Sequence, residues 1–238
     1  MLIDFLSPPR VLFGAGCSNR LGEEARRFGN RALVVTGRNS LIRSENLARI
    51  TVPLQEAAIE TIFFNEVDPE PAVTVVDRVR QQARDEQCTL LIGVGGGSVL
   101  DVTKAAAGLF NETGSTRDYH AGQPITQPGL PWIAVPTTAG SGSESTSNSV
   151  LTDPEIGLKA SIRHELWIAK AAIVDPIFTM SLSPSLTAQT GMDALTHAIE
   201  AYTSRWANPY SDAISQKAAL LIMQNIFTSY SGRDLAAK

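Results

Sequence analysis

The sequence predicts a Rossmann-like α/β domain over residues 1–182, followed by an all-α segment over 183–238, and three observations carry that expectation. Short apolar runs such as Arg31 to Thr36 (RALVVT) and Leu90 to Val94 (LLIGV) have the composition of strands buried on both faces. Runs of this kind alternate with stretches of helical spacing, and a β-α-β-α alternation implies a parallel sheet with helices on its faces. From Pro184 onward the character changes: Ser185 to Tyr202 and Tyr210 to Tyr230 keep helical spacing and high alanine content with no strand pattern.

In chain order, Val11 to Gly16 (VLFGAG) reads as a short edge strand ending in a glycine turn, and Leu21 to Phe28 as a helix. The strand Arg31 to Thr36 ends at Gly37. Ile59 to Phe64 is the next strand, Pro71 to Glu86 the next helix, and Thr89 to Val94 the strand after it. Gly95, Gly96 and Gly97 break that run, and Leu100, Val102, Thr103, Ala105 and Ala106 continue as a helix with an apolar stripe. Ser98, three residues before Asp101, has the spacing of a capping box. A polar excursion from Asn111 to Gly129 leads to the strand Pro131 to Val135, which is closed by a loop of hydroxyls and glycines, PTTAGSGSE. Ser147 to Leu151 and Ile156 to Ile162 pair as a hairpin with Lys159 on its second arm, and Ala171 to Val174 runs into Asp175-Pro176.

A chain of 238 residues with 43% hydrophobic residues can bury a sizeable core without cross-links. Cys17 and Cys88 are isolated, which suits reduced core residues and a cytoplasmic protein. The net charge of −4, with no basic stripe, argues against nucleic acid as the main partner. The opening MLIDFLSPPRVLFG lacks a basic n-region and meets Pro8 and Pro9 too early for a signal peptide or a membrane span, so no membrane association is expected.

The chemistry sits at strand ends. A strand that ends in a glycine turn at a helix N-terminus presents unpaired backbone N–H groups, and missing side chains let a phosphate approach them. Ligands of such sheets sit beyond the carboxyl ends of the strands, where Gly37, the VDPEP segment (Val67 to Pro71) and the GGGS turn all fall. No acidic residue follows the strand Arg31 to Thr36 to bond ribose hydroxyls. Gly37, Arg38, Asn39 and Ser40 offer room, a positive charge and polar donors that suit a 2′-phosphate, a solvated turn being the alternative. In the helical segment, Asp193 and His197 are four residues apart, so both side chains leave one face and can reach one cation. Carboxylate oxygen with imidazole nitrogen suits Fe²⁺, Zn²⁺ or Mn²⁺, although such a pair also occurs as a plain surface hydrogen bond.

GGGSVLDVTK, PTTAGSGSE, the AIVDP strand end and GMDALTHAIEAYTS, in this order and at these separations, resemble the iron-containing (group III) alcohol dehydrogenases. The resemblance implies an NAD(P)-dependent oxidoreductase that interconverts alcohols and aldehydes or ketones by metal-assisted hydride transfer, with Fe²⁺ or Zn²⁺ as the metal. Gly96, Gly97 and Ser98 would hold the cofactor pyrophosphate and Asp101 would fix that loop. Thr137, Thr138 and Ser141 would line the adenine and nicotinamide path, Lys159 would contact the nicotinamide ribose, and Asp193 and His197 would be metal ligands. NAD-using members carry Asp where this chain has Gly37, which favours NADP over NAD. The expected architecture is therefore a Rossmann-like dinucleotide-binding α/β domain (1–182) and the start of an all-α metal-binding domain (183–238).

Family members extend beyond the position of Lys238, and two further metal-ligating histidines lie in that later part, so the chain reads as a truncated member with an incomplete metal site. His120 and His164 stand in no matching position and read as surface or structural residues. Leu220, Leu221, Met223 and Ile226 are expected to lack packing partners, and a homo-oligomer covering them is the corresponding expectation. Two other readings stay open: a Zn²⁺-dependent relative of the glycerol dehydrogenase type, and a nucleotide-binding fragment without turnover.

Overall fold

The structure, a computed structural model, describes residues 5–38, 41 and 46–232. These divide into two compact units: Leu6–Pro136 with Ser143–Asp175, and, among the described residues, Phe5, Thr137–Gly142 and 176–232.

The larger unit holds eight described strands: β1 (Val11–Phe13), β2 (Arg31–Gly37), β3 (Glu60–Val67), β4 (Leu90–Gly95), β5 (Trp132–Pro136), β6 (Asn148–Asp153), β7 (Leu158–Arg163) and β8 (Ala171–Val174). Its helices are α1 (Leu21–Arg26), α2 (Asn46–Glu56), α3 (Val73–Asp85), α4 (Gly97–Gly108) and α5 (Thr116–His120). Six strands form one sheet in the order β1-β8-β5-β4-β2-β3, every pair parallel, while β6 and β7 form an antiparallel hairpin. The all-apolar runs read from the sequence lie in the middle of this sheet, where β4 and β5 are buried along their whole length and β2 is buried at all but its two ends.

After β2 the chain winds outward to β3, then crosses back to the other side of β2 to lay down β4. The winding direction therefore reverses between β2 and β4, which is where a doubly wound sheet opens a crevice for a ligand. The register brings the carboxyl ends to one rim: Thr36 pairs with Val94, Gly37 with Val67, and Gly95 with Pro136.

Two glycines let α4 lie directly on β4. A Cβ at Gly95 would stand 2.6 Å from Val99 Cγ2, and one at Gly93 would stand 2.7 Å from Thr103 Oγ1. Two helices were not read from the sequence. α2 contains Pro53 after the β-branched Ile50, Thr51 and Val52, all unfavourable to a helix, yet Ile50 and Leu54, one turn apart, are fully buried and hold it down. α5 lies inside the polar excursion and starts with a true capping box, in which Ser115 N donates to Asp118 (2.8 Å) and Asp118 N donates to Ser115 Oγ (3.3 Å). The excursion is pinned from both sides. The buried Arg80 of α3 donates to the carbonyls of Glu112 (2.7 Å) and Gly114 (3.0 Å), and the Glu112 carboxylate accepts from Gln127 N (2.8 Å) and Tyr119 Oη (2.9 Å).

The smaller unit holds α6 (Pro184–Thr203) and α7 (Pro209–Gly232). Ser183 caps α6 by accepting from Leu186 N (3.2 Å), and Pro184 sits at its first position, where a missing N–H costs nothing. The two helices pack through small residues: a Cβ on Gly191 would stand 3.1 Å from Ile226 Cδ1. A cavity of about 280 Å³ lies in this unit, lined by Ala139, Thr187, Thr190, Ala194, Ile226 and Ser229 among others. As the sequence suggested, Leu220, Leu221 and Met223 are exposed, and Phe227, Trp206 and Ile214 with them; Ile226 departs from that expectation because it packs against α6. Among the described residues no helix is long and apolar enough to cross a membrane.

Candidate functional site

The N-terminus of α4 opens on the rim beside the β2/β4 crevice. Gly96 stands before it in an extended conformation (φ −76°, ψ −176°), no side chain caps it, and the first turn carries no acid. Gly96 O accepts from Val99 N (3.0 Å) and Leu100 N (3.1 Å). The first-turn N–H groups of a helix have no intrahelical acceptor, and with the helix dipole they favour an anion. Gly96, Gly97 and Ser98 are partly exposed, so this terminus fits a phosphate or diphosphate. The capping box expected from Ser98 and Asp101 is not formed: the helix starts at Gly97 and Asp101 already lies in its second turn.

Asp101 ties a different part of the chain than expected. Its carboxylate accepts from Ser143 Oγ (2.5 Å) and Val150 N (2.9 Å), and its carbonyl accepts from Ser149 Oγ (2.9 Å), so it anchors the start of the hairpin rather than the GGGS turn. Beside it Lys104, 0% exposed, donates to Ser143 Oγ (2.9 Å), Thr146 Oγ1 (3.0 Å) and Asn148 O (2.6 Å). Its ammonium lies 3.5 Å from Asp101 Oδ1 and 5.8 Å from the Trp132 ring centroid. Lys104 ends the GGGSVLDVTK motif, and nothing in the spacing of that motif shows that a lysine will be fully buried.

Burial pushes the Lys104 ammonium down to about 8, with Asp101 and Glu144 opposing the shift, and burial raises the Glu144 carboxyl. An unfolded chain keeps the lysine proton to its ordinary value of 10.5, so between about 8 and 10.5 folding releases a proton and stability rises with pH. The expected result is that the unfolding free energy of the wild type gains on that of a Lys104→Met variant across this window. Parallel urea titrations of the two proteins at neutral and alkaline pH check it, and a constant difference would contradict the burial of a titrating amine.

The two cations that the sequence assigned to the cofactor are both paired. Arg38 binds Asp68 through two contacts, Nε to Oδ1 at 2.7 Å and Nη2 to Oδ2 at 2.9 Å. Lys159 Nζ binds Glu70 Oε1 at 3.0 Å. Asp68 and Glu70 both come from the VDPEP segment beyond β3. Arg38 is thus paired at the protein surface, while Asn39 and Ser40, its expected companions toward a 2′-phosphate, lie outside the described residues.

Thr137, Thr138 and Ser141 follow β5 directly and belong to the smaller unit, where Gly140 backs onto α6 so closely that a Cβ would stand 2.9 Å from Thr190 O. On α6, His197 Nε2 lies 3.8 Å from Asp193 Oδ1, both side chains half exposed on one helix face, as their spacing predicts. Among the described residues no group of three His, Cys, Asp or Glu side chains stands ready to hold a metal. The pair suits a divalent cation as part of a ligand set and falls short of the three or four protein donors that a zinc-type site takes. His120 and His164 serve the fold: His120 Nε2 bonds Leu151 O (3.1 Å), and His164 Nδ1 accepts from Leu166 N (3.3 Å). Cys17 and Cys88 are free thiols as the spacing suggested, but only Cys88 is a core residue; Cys17 is half-buried.

A doubly wound parallel sheet with an open helix N-terminus at its switch point is the architecture of dinucleotide-binding proteins, and the helical unit adds an Asp/His pair on one helix face. The chain matches the family described as iron-containing alcohol dehydrogenase over residues 8–176, and the C-terminal part of the Fe-containing alcohol dehydrogenase family over residues 187–238. It belongs to the iron-containing alcohol dehydrogenase family. It is 38% identical over 222 residues to long-chain-alcohol dehydrogenase 1 of Geobacillus thermodenitrificans (strain NG80-2), covering 92% of this chain and 56% of that protein. A crystal structure of 1,3-propanediol oxidoreductase superposes with a TM-score of 0.95 at 36% identity, covering 100% of this chain and 62% of the other. The sulfoacetaldehyde reductase of Bifidobacterium kashiwanohense, solved in complex with NAD⁺, gives 0.92 at 35% identity, covering 100% and 63%. The chain thus spans 56–62% of the length of the curated relatives named or matched alongside them.

Proposed function

We propose that the chain binds a nicotinamide dinucleotide at the carboxyl rim of its large sheet, and that it is part of an oxidoreductase interconverting small alcohols with aldehydes or ketones. The observation that carries this reading is the uncapped N-terminus of α4 at the strand pair where the winding reverses. Gly96, Gly97 and Ser98 hold the diphosphate there through backbone N–H groups, and Gly37 leaves room beside it for the adenosine end. Thr137, Thr138 and Ser141, which follow the end of β5, are the hydroxyls that the family resemblance assigns to the cofactor. The bound dinucleotide gives or takes the hydride, and the chain's share is to fix its position. Asp193 and His197 contribute two of the donors that would hold Fe²⁺ or Zn²⁺; two donors do not make a complete site, and no step is derived through the metal. The NAD-dependent methanol dehydrogenase of Bacillus methanolicus, 33% identical over 240 residues, and the NAD⁺ complex named above support the cofactor class.

Titration calorimetry with NADH tests the reading. Saturable one-site binding is expected, unchanged within about twofold in an Asp193→Ala/His197→Ala variant, since these residues are assigned to metal and not to dinucleotide. Failure of the wild-type chain to bind any nicotinamide dinucleotide would overturn the proposal.

A further inference from the structure

We propose that Lys104 is a positioning residue for dinucleotide binding: its ammonium fastens the return of the PTTAGSGSE loop to the helix whose first turn takes the diphosphate, so the cofactor binds with this lysine protonated. The inference rests on the dinucleotide reading above and adds a buried residue, and a proton, on which that binding depends.

The loop after β5 is tied at both ends to one frame. At its start Pro136 pairs with Gly95, the last residue of β4. The chain leaves the larger unit over Thr137–Gly142 and re-enters it at Ser143. There the Ser143 hydroxyl donates to Asp101 Oδ1 (2.5 Å) and accepts from Lys104 Nζ (2.9 Å), two side chains of α4. Lys104 also donates to Thr146 Oγ1 (3.0 Å) and to Asn148 O (2.6 Å), so one ammonium gathers the 3₁₀ turn Ser143–Ser145 and the first residue of β6 onto the helix. An ammonium carries three donors, and all three go to this one stretch of chain. Deprotonation leaves one of the acceptors without its donor, which slackens the fastened end of the loop that carries Thr137, Thr138 and Ser141.

A second coupling is electrostatic. Lys104 lies seven residues along α4 from Gly97, about 10 Å at the helical rise. It is fully buried, so salt screens its field at the helix start only weakly. A diphosphate brings negative charge to that start and draws the lysine proton. The charged groups that act on Lys104 are Asp101 on its own helix and Glu144 on the 3₁₀ turn, while β5 contributes the Trp132 ring and β6 the Asn148 carbonyl. Burial opposes the proton and the two carboxylates favour it, which leaves the lysine at about 8, within reach of a pH series. A ligand that prefers the protonated form takes up a proton above that value and binds more weakly as pH rises; well below it the lysine is protonated with or without ligand, and affinity is flat.

Calorimetric titration of NADH, which has no group titrating near this value, tests the proposal on the wild type, Lys104→Met and Asp101→Asn, with each pH repeated in buffers of different ionisation enthalpy. Wild-type affinity is expected to be flat below about pH 7.5 and to fall about fivefold by about pH 9.5, with uptake of about half a proton per NADH near pH 8.5. Lys104→Met is expected to bind NADH more weakly at neutral pH, with neither the pH dependence nor the proton uptake, circular dichroism at each pH showing that it is folded. Asp101→Asn keeps the side-chain shape and removes a charge that supports the lysine proton, so the onset of weakening is expected at lower pH; this variant carries the test if Lys104→Met does not fold. A wild type with flat affinity and no proton uptake, a folded Lys104→Met variant that keeps the wild-type uptake, or an Asp101→Asn variant with an unmoved onset would each overturn the proposal. A wild type that binds NADH at no pH would instead remove the cofactor reading on which it stands.

Discussion

Replacing Lys104 by methionine is expected to lower the unfolding free energy by about 3 kcal/mol, the cost typical of removing one partner from a buried ion pair. The side chain is fully buried and engages Ser143 Oγ, Thr146 Oγ1 and Asn148 O, with Asp101 at 3.5 Å. Methionine fills a similar volume, so packing loss is small, and the penalty comes from acceptors left without their donor and from the uncompensated Asp101 carboxylate. An Asp101→Asn/Lys104→Met double variant is expected to recover part of the loss, because the stranded charge is gone. Equilibrium urea unfolding of the wild type, the two single variants Lys104→Met and Asp101→Asn, and the double variant gives the coupling directly. A Lys104→Met variant within about 0.5 kcal/mol of wild type would show that the buried ammonium contributes nothing that an apolar chain cannot.

Ser98→Asp is expected to move stability and binding in opposite directions. A carboxylate in the first turn of α4 is favourable toward the helix dipole, by about 0.5 kcal/mol, so the unfolding midpoint should hold or rise. The same carboxylate occupies the place assigned to the diphosphate and repels it. NADH affinity is expected to fall about a hundredfold, combining like-charge repulsion with competition for the first-turn N–H groups. Calorimetry and thermal melts on one preparation separate the two effects. Undiminished NADH binding in this variant would place the phosphates elsewhere on the molecule.

Most of the sheet was legible because the buried central strands contain little but apolar residues and end in glycine or proline. β2, β4 and β5 show that directly, and the i, i+4 spacing of Asp193 and His197 put both on one helix face as the structure has them. What sequence could not show was where side chains spend their bonds. Asp101 has the spacing of a local cap, yet its acceptors serve Ser143 and Val150, 42 and 49 residues away. Arg38 looked like an available cation because its partner, Asp68, is 30 residues further on and is brought near only by the pairing of β2 with β3. α2 was hidden for the opposite reason: its local propensities are poor, and burial of Ile50 and Leu54 overrides them. The capping box of α5 could have been read from Ser115 and Asp118, and was masked by the polar composition around it.

The two flanks of the large sheet bear on how the molecule behaves in crowded solution. One flank, β1, is three residues long and is entered through Pro8 and Pro9, which donate no backbone hydrogen. The other, β3, begins at the exposed Glu60 and carries Glu66 near its end, both engaged by arginines of neighbouring elements. A stub behind prolines and a strand fenced by charge are poor templates for a foreign strand. Strand shortness and proline at one side, and charge at the other, thereby lower the tendency of the sheet to recruit a foreign strand.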